Sequence, residues 1–153
     1  MAEQLLFVAG LPGCGKTTYL SQLCRQGWIA FDDFKNKSYG SSSEFRASRK
    51  FRSLWVALKD RLECAVADID FCCDGSRDEA EQILRDELPE VAFAWRFFAR
   101  DMAACEANIR SRNRPSQEQD LAELRKYARM YTIPTGAIVM PVVSEGRGGP
   151  TKG

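Results

Sequence analysis

The sequence contains no histidine, and its six cysteines form no Cys-x-x-Cys pair. Zinc sites are built mainly from histidines and paired cysteines, so a zinc centre is not expected. Without histidine, the side chains that could serve as a general base are mainly carboxylates, and solvent is the alternative. The cysteines are interpreted as reduced cytosolic thiols, most of them small core residues. Cys14 is the exception, because its place in a glycine-rich loop predicts sensitivity to oxidation.

Long apolar runs are also missing, and no segment approaches the ~20 apolar residues of a membrane span. Residues 1–4 lead directly into the first apolar run, which leaves no room for a signal peptide. The 153 residues are 44% hydrophobic and 28% charged, typical of one globular domain. A net charge of +1 argues against strong non-specific binding to long nucleic-acid duplexes. We expect a cytoplasmic monomer or small homo-oligomer with no membrane partner.

A glycine-rich loop follows the first apolar run. Residues 10–17, GLPGCGKT, match G-x-x-x-x-G-K-[ST] between a predicted strand and a predicted helix. The glycines allow backbone N–H groups to surround a β-phosphate, while Lys16 would reach the β- and γ-phosphates and Thr17 would hold Mg²⁺. The alternative is a plain turn whose lysine faces water. The loop predicts binding of ATP with Mg²⁺, through Gly10, Leu11, Pro12, Gly13, Cys14, Gly15, Lys16, Thr17 and Thr18.

Strand-like and helix-like segments alternate along the chain, which predicts a three-layer α/β P-loop NTPase fold with a five-stranded parallel sheet, flanking helices and a short helical lid. Capping boxes are predicted at Ser76 with Glu79 and at Ser116 with Gln119. Residues 1–143 are predicted to form one domain, and 144–153 a flexible tail without an apolar anchor. The predicted strands are 4–9, 28–31, 64–69, 91–97 and 136–142, and the predicted helices are 16–26, 43–62, 76–88, 100–113 and 116–131.

Pairs of acids follow two of the predicted strands. Asp32 and Asp33 end the second strand, where a carboxylate can orient an acceptor hydroxyl and take its proton. Asp68 and Asp70 follow the third strand, and period-two spacing would point them to one side of an extended chain, toward Mg²⁺ or the acceptor. Asp68 is favoured over Asp70 for this role. Acids at strand ends are also common as turn formers and helix N-caps, so both readings stay open.

Basic residues are concentrated in two places. Residues 35–61 carry eight of them, including Arg46 and Arg49, against two acids. Such a face is either simply solvated or meets an anionic acceptor, such as a nucleotide or the end of a nucleic-acid strand. The segment NIRSRNR carries Arg110, Arg112 and Arg114. In a helix Arg110 and Arg114 share a face and Arg112 points away, but Pro115 favours an end of the helix before Arg114, so that all three can turn toward one pocket. Arginines there can stack on the base and stabilise a transferring phosphoryl group. Cations that suit a helix C-terminus are the alternative.

These motifs together resemble the small P-loop kinases, most closely the polynucleotide kinase and zeta-toxin-like branch, often grouped with AAA-type ATPases. GLPGCGKTT is similar to its phosphate loop, FDDFK to its substrate motif, VADID to the end of its third strand and NIRSRNR to its arginine lid. The resemblance spans residues 4–142. It implies that Asp32 is the general base, that Lys35 binds a substrate phosphate and that Asp68 lies at the metal. Phe31 and Asp70 depart from the branch's pattern and leave the acceptor open.

The sequence therefore predicts an Mg-ATP-dependent kinase that transfers the γ-phosphate to a hydroxyl. The preferred acceptor is the 5′-hydroxyl of a nucleotide or polynucleotide, and a sugar nucleotide or other small metabolite comes second. A nucleotide-dependent switch and a degenerate nucleotide-binding subunit are the rivals. The guanine-binding N-K-x-D pattern is absent, and the single glycine in FCCDGSRDE disfavours shikimate.

Overall fold

The computed structural model describes residues 3–32 and 49–144. Five short strands form one parallel sheet, as the alternating pattern predicts, and their order in the sheet is β2-β3-β1-β4-β5. β1 is central and all five of its residues are buried, because it has a strand on each side and is covered on both faces. The strands are β1 (Leu5–Ala9), β2 (Ile29–Phe31), β3 (Cys64–Ala67), β4 (Phe93–Phe98) and β5 (Val139–Met140).

Helices connect the strands, and each predicted helix has a counterpart in the structure. A short 3-10 turn, Ile69–Cys72, follows β3. The prediction of strand structure to residue 69 is therefore wrong by two residues, because the chain turns at Asp68. The helices are α1 (Lys16–Arg25), α2 (Arg49–Lys59), α3 (Asp74–Glu87), α4 (Met102–Arg112) and α5 (Gln117–Met130).

The two predicted capping boxes are not formed. α3 begins at Asp74, so Ser76 lies inside its first turn and cannot act as its N-cap. Ser116 does occupy the N-cap position of α5, but its side chain makes no capping hydrogen bond. Its hydroxyl donates to Asp120 Oδ2 at 3.1 Å instead. The sequence thus predicts where these two helices begin to within two residues, but it does not predict the hydrogen bonds at their first turns.

Aromatic side chains fill the core on one side of the sheet. Phe7 on β1 stacks on Trp95 of β4 with ring centroids 4.5 Å apart, and it meets Phe71 edge-on at 5.7 Å. Phe71 belongs to the 3-10 turn, so this packing fixes the turn that follows β3 against the central strand. Burying each such side chain contributes about 1.5–3 kcal/mol relative to leaving it exposed.

No helix in residues 3–32 or 49–144 is long and apolar enough to cross a membrane. The predicted tail lies almost wholly outside the described residues, which end at Ser144. The division into a 1–143 domain and a tail therefore stays a prediction.

Candidate functional site

The glycine-rich loop, residues 10–17, connects the carboxyl end of β1 to the first residues of α1. Gly13 has φ +83° and Gly15 has φ +101°, in the left-handed region that favours glycine. A Cβ on Gly13 would lie 2.6 Å from the Cys105 carbonyl oxygen, and one on Gly15 would lie 2.6 Å from Val143 Cβ. Both positions therefore require glycine for backbone angle and for space.

Lys16, the first residue of α1, bends back over the loop that precedes it. Its Nζ donates to Gly10 O at 2.6 Å and to Leu11 O at 3.2 Å. The same side chain borders a cleft beside the loop. An ammonium group held by two carbonyls at the rim of a cleft can exchange them for the oxygens of a bound anion.

Thr17 joins the loop to the end of the second strand. Its Oγ1 donates a hydrogen bond of 3.0 Å to Asp32 Oδ2. Hydroxyl and carboxylate oxygens are the ligands that Mg²⁺ prefers, and the ion takes few of them from protein when phosphates supply the rest. The Thr17 hydroxyl thus fits a magnesium ion by its chemistry, and the Asp32 carboxylate lies next to it.

The cleft has a volume of about 220 Å³. Typical ligand pockets measure ~300–1,000 Å³, so this one suits the phosphate end of a nucleotide rather than the whole molecule. Gly10, Leu11 and Thr18 do not border it among the described residues, and Leu11 is fully buried. The described lining residues are Pro12, Gly13, Cys14, Gly15, Lys16, Thr17, Asp32, Ile69, Arg112 and Glu123.

Asp68 lies directly after β3 and is 2% exposed. Its Oδ1 accepts a hydrogen bond of 2.8 Å from the Asp70 backbone N–H, which caps the 3-10 turn. The expectation that Asp68 and Asp70 share one side of an extended chain is therefore wrong. Ile69, rather than Asp68, is the residue of this turn that lines the cleft. A metal-binding role for Asp68 stays a prediction.

The three arginines near the end of α4 have different surroundings. Arg112 lines the cleft, whereas Arg110 pairs with Glu106 through contacts of 3.0 Å from Nε and Nη2. α4 ends at Arg112, and Asn113 follows with φ +50°, so Arg114 no longer shares a helical face with Arg110. The helix has thus ended before Arg114, as Pro115 predicts. The catalytic role predicted for Arg110 and Arg114 stays a prediction.

Sequence reasoning placed Arg112 among three candidate lid arginines without selecting it, and it missed Glu123. Cys105 and Ile109 are buried against Gly13, and Arg112 lies three residues beyond Ile109 on the same helical face. That apolar spacing was a signal that could have selected Arg112. Glu123, on α5, carries no comparable signal, because its place in the cleft depends on how α5 packs.

Cys14 is fully buried beneath the loop. Burial raises the pKa of its thiol above the ordinary value, and nearby Lys16 only partly opposes this. A buried thiol with a raised pKa is neither accessible nor nucleophilic at neutral pH. The expectation that Cys14 is sensitive to oxidation is therefore not supported.

Several predicted acceptor-binding residues lie outside the described residues, namely Asp33, Lys35 and Arg46. Arg49 begins α2, but its side chain is not described. The acceptor side of the predicted site consequently stays a prediction.

No family model matches this sequence. No curated protein sequence matches it either. Solved structures do resemble it. A fungal RNA kinase has a TM-score of 0.65 at 13% identity, covering 99% of this chain and 80% of its own. A gluconokinase from Sinorhizobium meliloti 1021 has a TM-score of 0.56 at 17% identity, covering 94% of this chain and 86% of its own.

A third similar structure is a chain of the Pnkp1/Rnl/Hen1 RNA repair complex. Its TM-score is 0.53 at 16% identity, and the match covers 86% of this chain and 48% of that one. At these identities the likeness establishes architecture. The chain has the three-layer α/β fold of P-loop kinases, with a five-stranded parallel sheet flanked by helices.

Proposed function

We propose that the protein is an Mg-ATP-dependent kinase that transfers the γ-phosphate of ATP to a hydroxyl. The observation that carries the proposal is the hydrogen bond between Thr17 Oγ1 and Asp32 Oδ2 at the rim of a cleft formed by the glycine-rich loop. It joins the loop that would hold phosphates to a carboxylate at the end of β2. A carboxylate there can serve the incoming hydroxyl as well as the nucleotide.

Different residues of the chain would carry out different parts of the reaction. The Asp32 carboxylate orients the acceptor hydroxyl and takes its proton as the oxygen forms a bond to the γ-phosphorus. The bond from that phosphorus to the β–γ bridging oxygen breaks, and ADP leaves with the electron pair. Magnesium, if bound by the Thr17 hydroxyl together with phosphate oxygens, would offset the negative charge of the phosphates and leave the Asp32 carboxylate to the acceptor.

Lys16 and Arg112 supply the positive charge on the protein side. Both line the cleft, one from the start of α1 and one from the end of α4. Charge spread over the phosphoryl oxygens in the transition state is stabilised by such fixed cations. Among the lid arginines we therefore favour Arg112, because Arg110 is paired with Glu106.

The preferred acceptor is the 5′-hydroxyl of a nucleotide or polynucleotide. Two of the similar structures are a fungal RNA kinase and a chain of an RNA repair complex. The basic segment 35–61 predicted from sequence would suit an anionic acceptor. A small hydroxylated metabolite is the second candidate, favoured by the likeness to a gluconokinase.

The test is transfer of label from γ-labelled ATP in the presence of Mg²⁺. The acceptor panel contains 5′-hydroxyl RNA and DNA oligonucleotides, nucleosides, gluconate, a sugar nucleotide and shikimate, and Lys16→Ala is the control enzyme. Label in a 5′-hydroxyl oligonucleotide or a nucleoside supports the preferred acceptor. Label only in gluconate or the sugar nucleotide selects the metabolite kinase. Label released solely as free phosphate, in a Lys16-dependent manner, replaces the kinase with a nucleotide-hydrolysing switch.

A further inference from the structure

Asn108 is a buried polar side chain on α4, with only 3% of its surface exposed. Its Nδ2 donates to Gly13 O at 2.7 Å and to Val143 O at 2.6 Å. An amide nitrogen carries two N–H donors, so both are used on backbone carbonyls. One carbonyl belongs to the glycine-rich loop, and the other to the segment that follows β5. A single side chain thus connects two parts of the chain that are distant in sequence.

Val143 completes the connection from the other side. Its backbone N–H donates to Cys14 O at 3.0 Å, directly after the Gly13 carbonyl that Asn108 holds. Its side chain also packs so closely on Gly15 that a Cβ there would clash. Two successive carbonyls of the loop, at residues 13 and 14, are therefore bound from outside the cleft.

The direction of these carbonyls fixes the direction of loop N–H groups. In a planar trans peptide the C=O and the next N–H point in opposite directions. Holding Cys14 O on Val143 therefore directs the Gly15 N–H away from Val143, and Gly15 lines the cleft. The Cys14 N–H, which follows Gly13 O, donates to Leu11 O at 3.1 Å within the loop, so the Gly15 N–H is the group that this arrangement offers to a phosphate.

We propose that Asn108 is a positioning residue that, together with Val143, orients the peptide groups of the glycine-rich loop for phosphate binding. The inference rests on the nucleotide binding included in the proposed function. Asn108 would act through its hydrogen bonds to Gly13 and Val143, without touching the nucleotide. Arg112 lies one helical turn further along α4, so the helix that holds the loop also carries the arginine that lines the cleft.

A purely structural role makes a different prediction. If Asn108 only ties α4 to the body of the protein, replacing it lowers the unfolding free energy, while the folded variant binds nucleotide as wild type does. If it orients the loop, the folded variant binds the β-phosphate more weakly. Nucleotide affinity and stability must therefore be measured separately.

The experiment is titration calorimetry of MgADP with the full chain, well below the melting temperature of each variant. MgADP carries the β-phosphate and requires no acceptor. Asn108→Ala is expected to raise the Kd about tenfold, the scale of a lost hydrogen bond. Asn108→Asp should raise it further, since a carboxylate would face two carbonyl oxygens. Val143→Pro, which removes the N–H that holds Cys14 O, should also raise it, whereas the matched Val143→Ala keeps that N–H and should bind nearly as wild type does.

The outcomes separate the two ideas. A wild-type protein that binds neither MgADP nor MgATP refutes the proposed function, and the positioning role with it. A wild-type protein that binds MgADP, with folded Asn108→Ala and Val143→Pro variants of unchanged Kd, overturns the positioning role alone. If Asn108→Ala does not fold, the comparison of Val143→Pro with Val143→Ala decides.

Discussion

The Thr17 hydroxyl donates to Asp32 Oδ2 across 3.0 Å, and this contact joins the start of α1 to the end of β2. The carboxylate lines the cleft, and in the proposed function it is also the group that meets the acceptor. A substitution at Asp32 therefore has to separate two effects, loss of the negative charge and loss of the contact with Thr17.

Asp32→Asn makes that separation, because the amide oxygen can still accept the Thr17 hydrogen bond. We expect transfer to fall on the order of a hundredfold or more, the scale of a lost general base. The Kd for MgATP should change little, since the loop and Lys16 are intact. Rates of label transfer and calorimetric affinities measure the two quantities. Full activity in Asp32→Asn would mean that the carboxylate is not the base.

Arg112 and Arg110 form a natural pair for comparison, because they lie on the same helix in different surroundings. Arg112 lines the cleft, and Arg110 is paired with Glu106 at the surface. We expect Arg112→Ala to lower kcat by ~10²-fold, as for loss of a fixed charge beside the transferred group. Arg110→Ala should stay within about twofold of wild type. The reverse order of effects in steady-state kinetics would assign the catalytic role to Arg110 and not to Arg112.

The fold could be predicted from the sequence because each of its signals is local. The run at β1 is apolar throughout, as a central strand buried on both faces requires, and the loop after it has glycine where φ is positive, at Gly13 and Gly15. Both signals are carried by residues that are neighbours in the sequence. The succession of strands and helices along the chain could therefore be predicted.

The cleft could be predicted only in part, because its remaining residues meet through tertiary packing. Thr17 and Asp32 were both selected, since each follows a recognisable motif. Asn108 and Glu123 were missed, because a single polar residue within a helix does not reveal which loop it faces. For Asp68 and Asp70 the sequence predicted an extended chain, whereas the Asp68 carboxylate caps a turn that contains Asp70, because this local hydrogen bond is not visible in the spacing of two acids.

Arg77 provides a test of stability, since it is a charged side chain that is only 6% exposed. Its guanidinium donates to Phe71 O and to Thr132 Oγ1, both at 2.8 Å, and lies 5.3 Å from the centroid of the Phe97 ring. It thereby ties the 3-10 turn to the end of α5. We expect Arg77→Met, which keeps volume but no donor, to lower the unfolding free energy by about 2–3 kcal/mol.

Urea unfolding measures this change, and Arg85 on the same helix is the matched control. Arg85 forms an exposed pair with Glu81 at 3.0 Å, a kind of contact worth ~0.5 kcal/mol or less. Arg85→Met should therefore be nearly neutral. Equal effects of the two substitutions would show that the buried hydrogen bonds of Arg77 contribute no more than a surface ion pair.

The buried thiol of Cys72 should make the stability of the protein depend on pH in the alkaline range. Burial raises the pKa of its thiol from 9.0 to about 12. The unfolded chain therefore releases this proton at lower pH than the folded chain does. The free energy of unfolding is therefore unaffected by titration of this thiol below pH 9. It falls as the pH rises from about 9 toward 12, by up to ~1.4 kcal/mol per pH unit.

Cys72→Ala removes this titration, so its unfolding free energy should decline less steeply between pH 9 and pH 10.5 than that of wild type. Urea unfolding at several pH values gives the slopes. Cys24 is exposed, and Cys24→Ala should leave the wild-type slope unchanged. Because Cys72 Sγ donates to Gly10 O at 3.4 Å, Cys72→Ala should also be less stable than wild type at pH 8. Parallel pH profiles for wild type and Cys72→Ala would show that the thiol is not the group responsible.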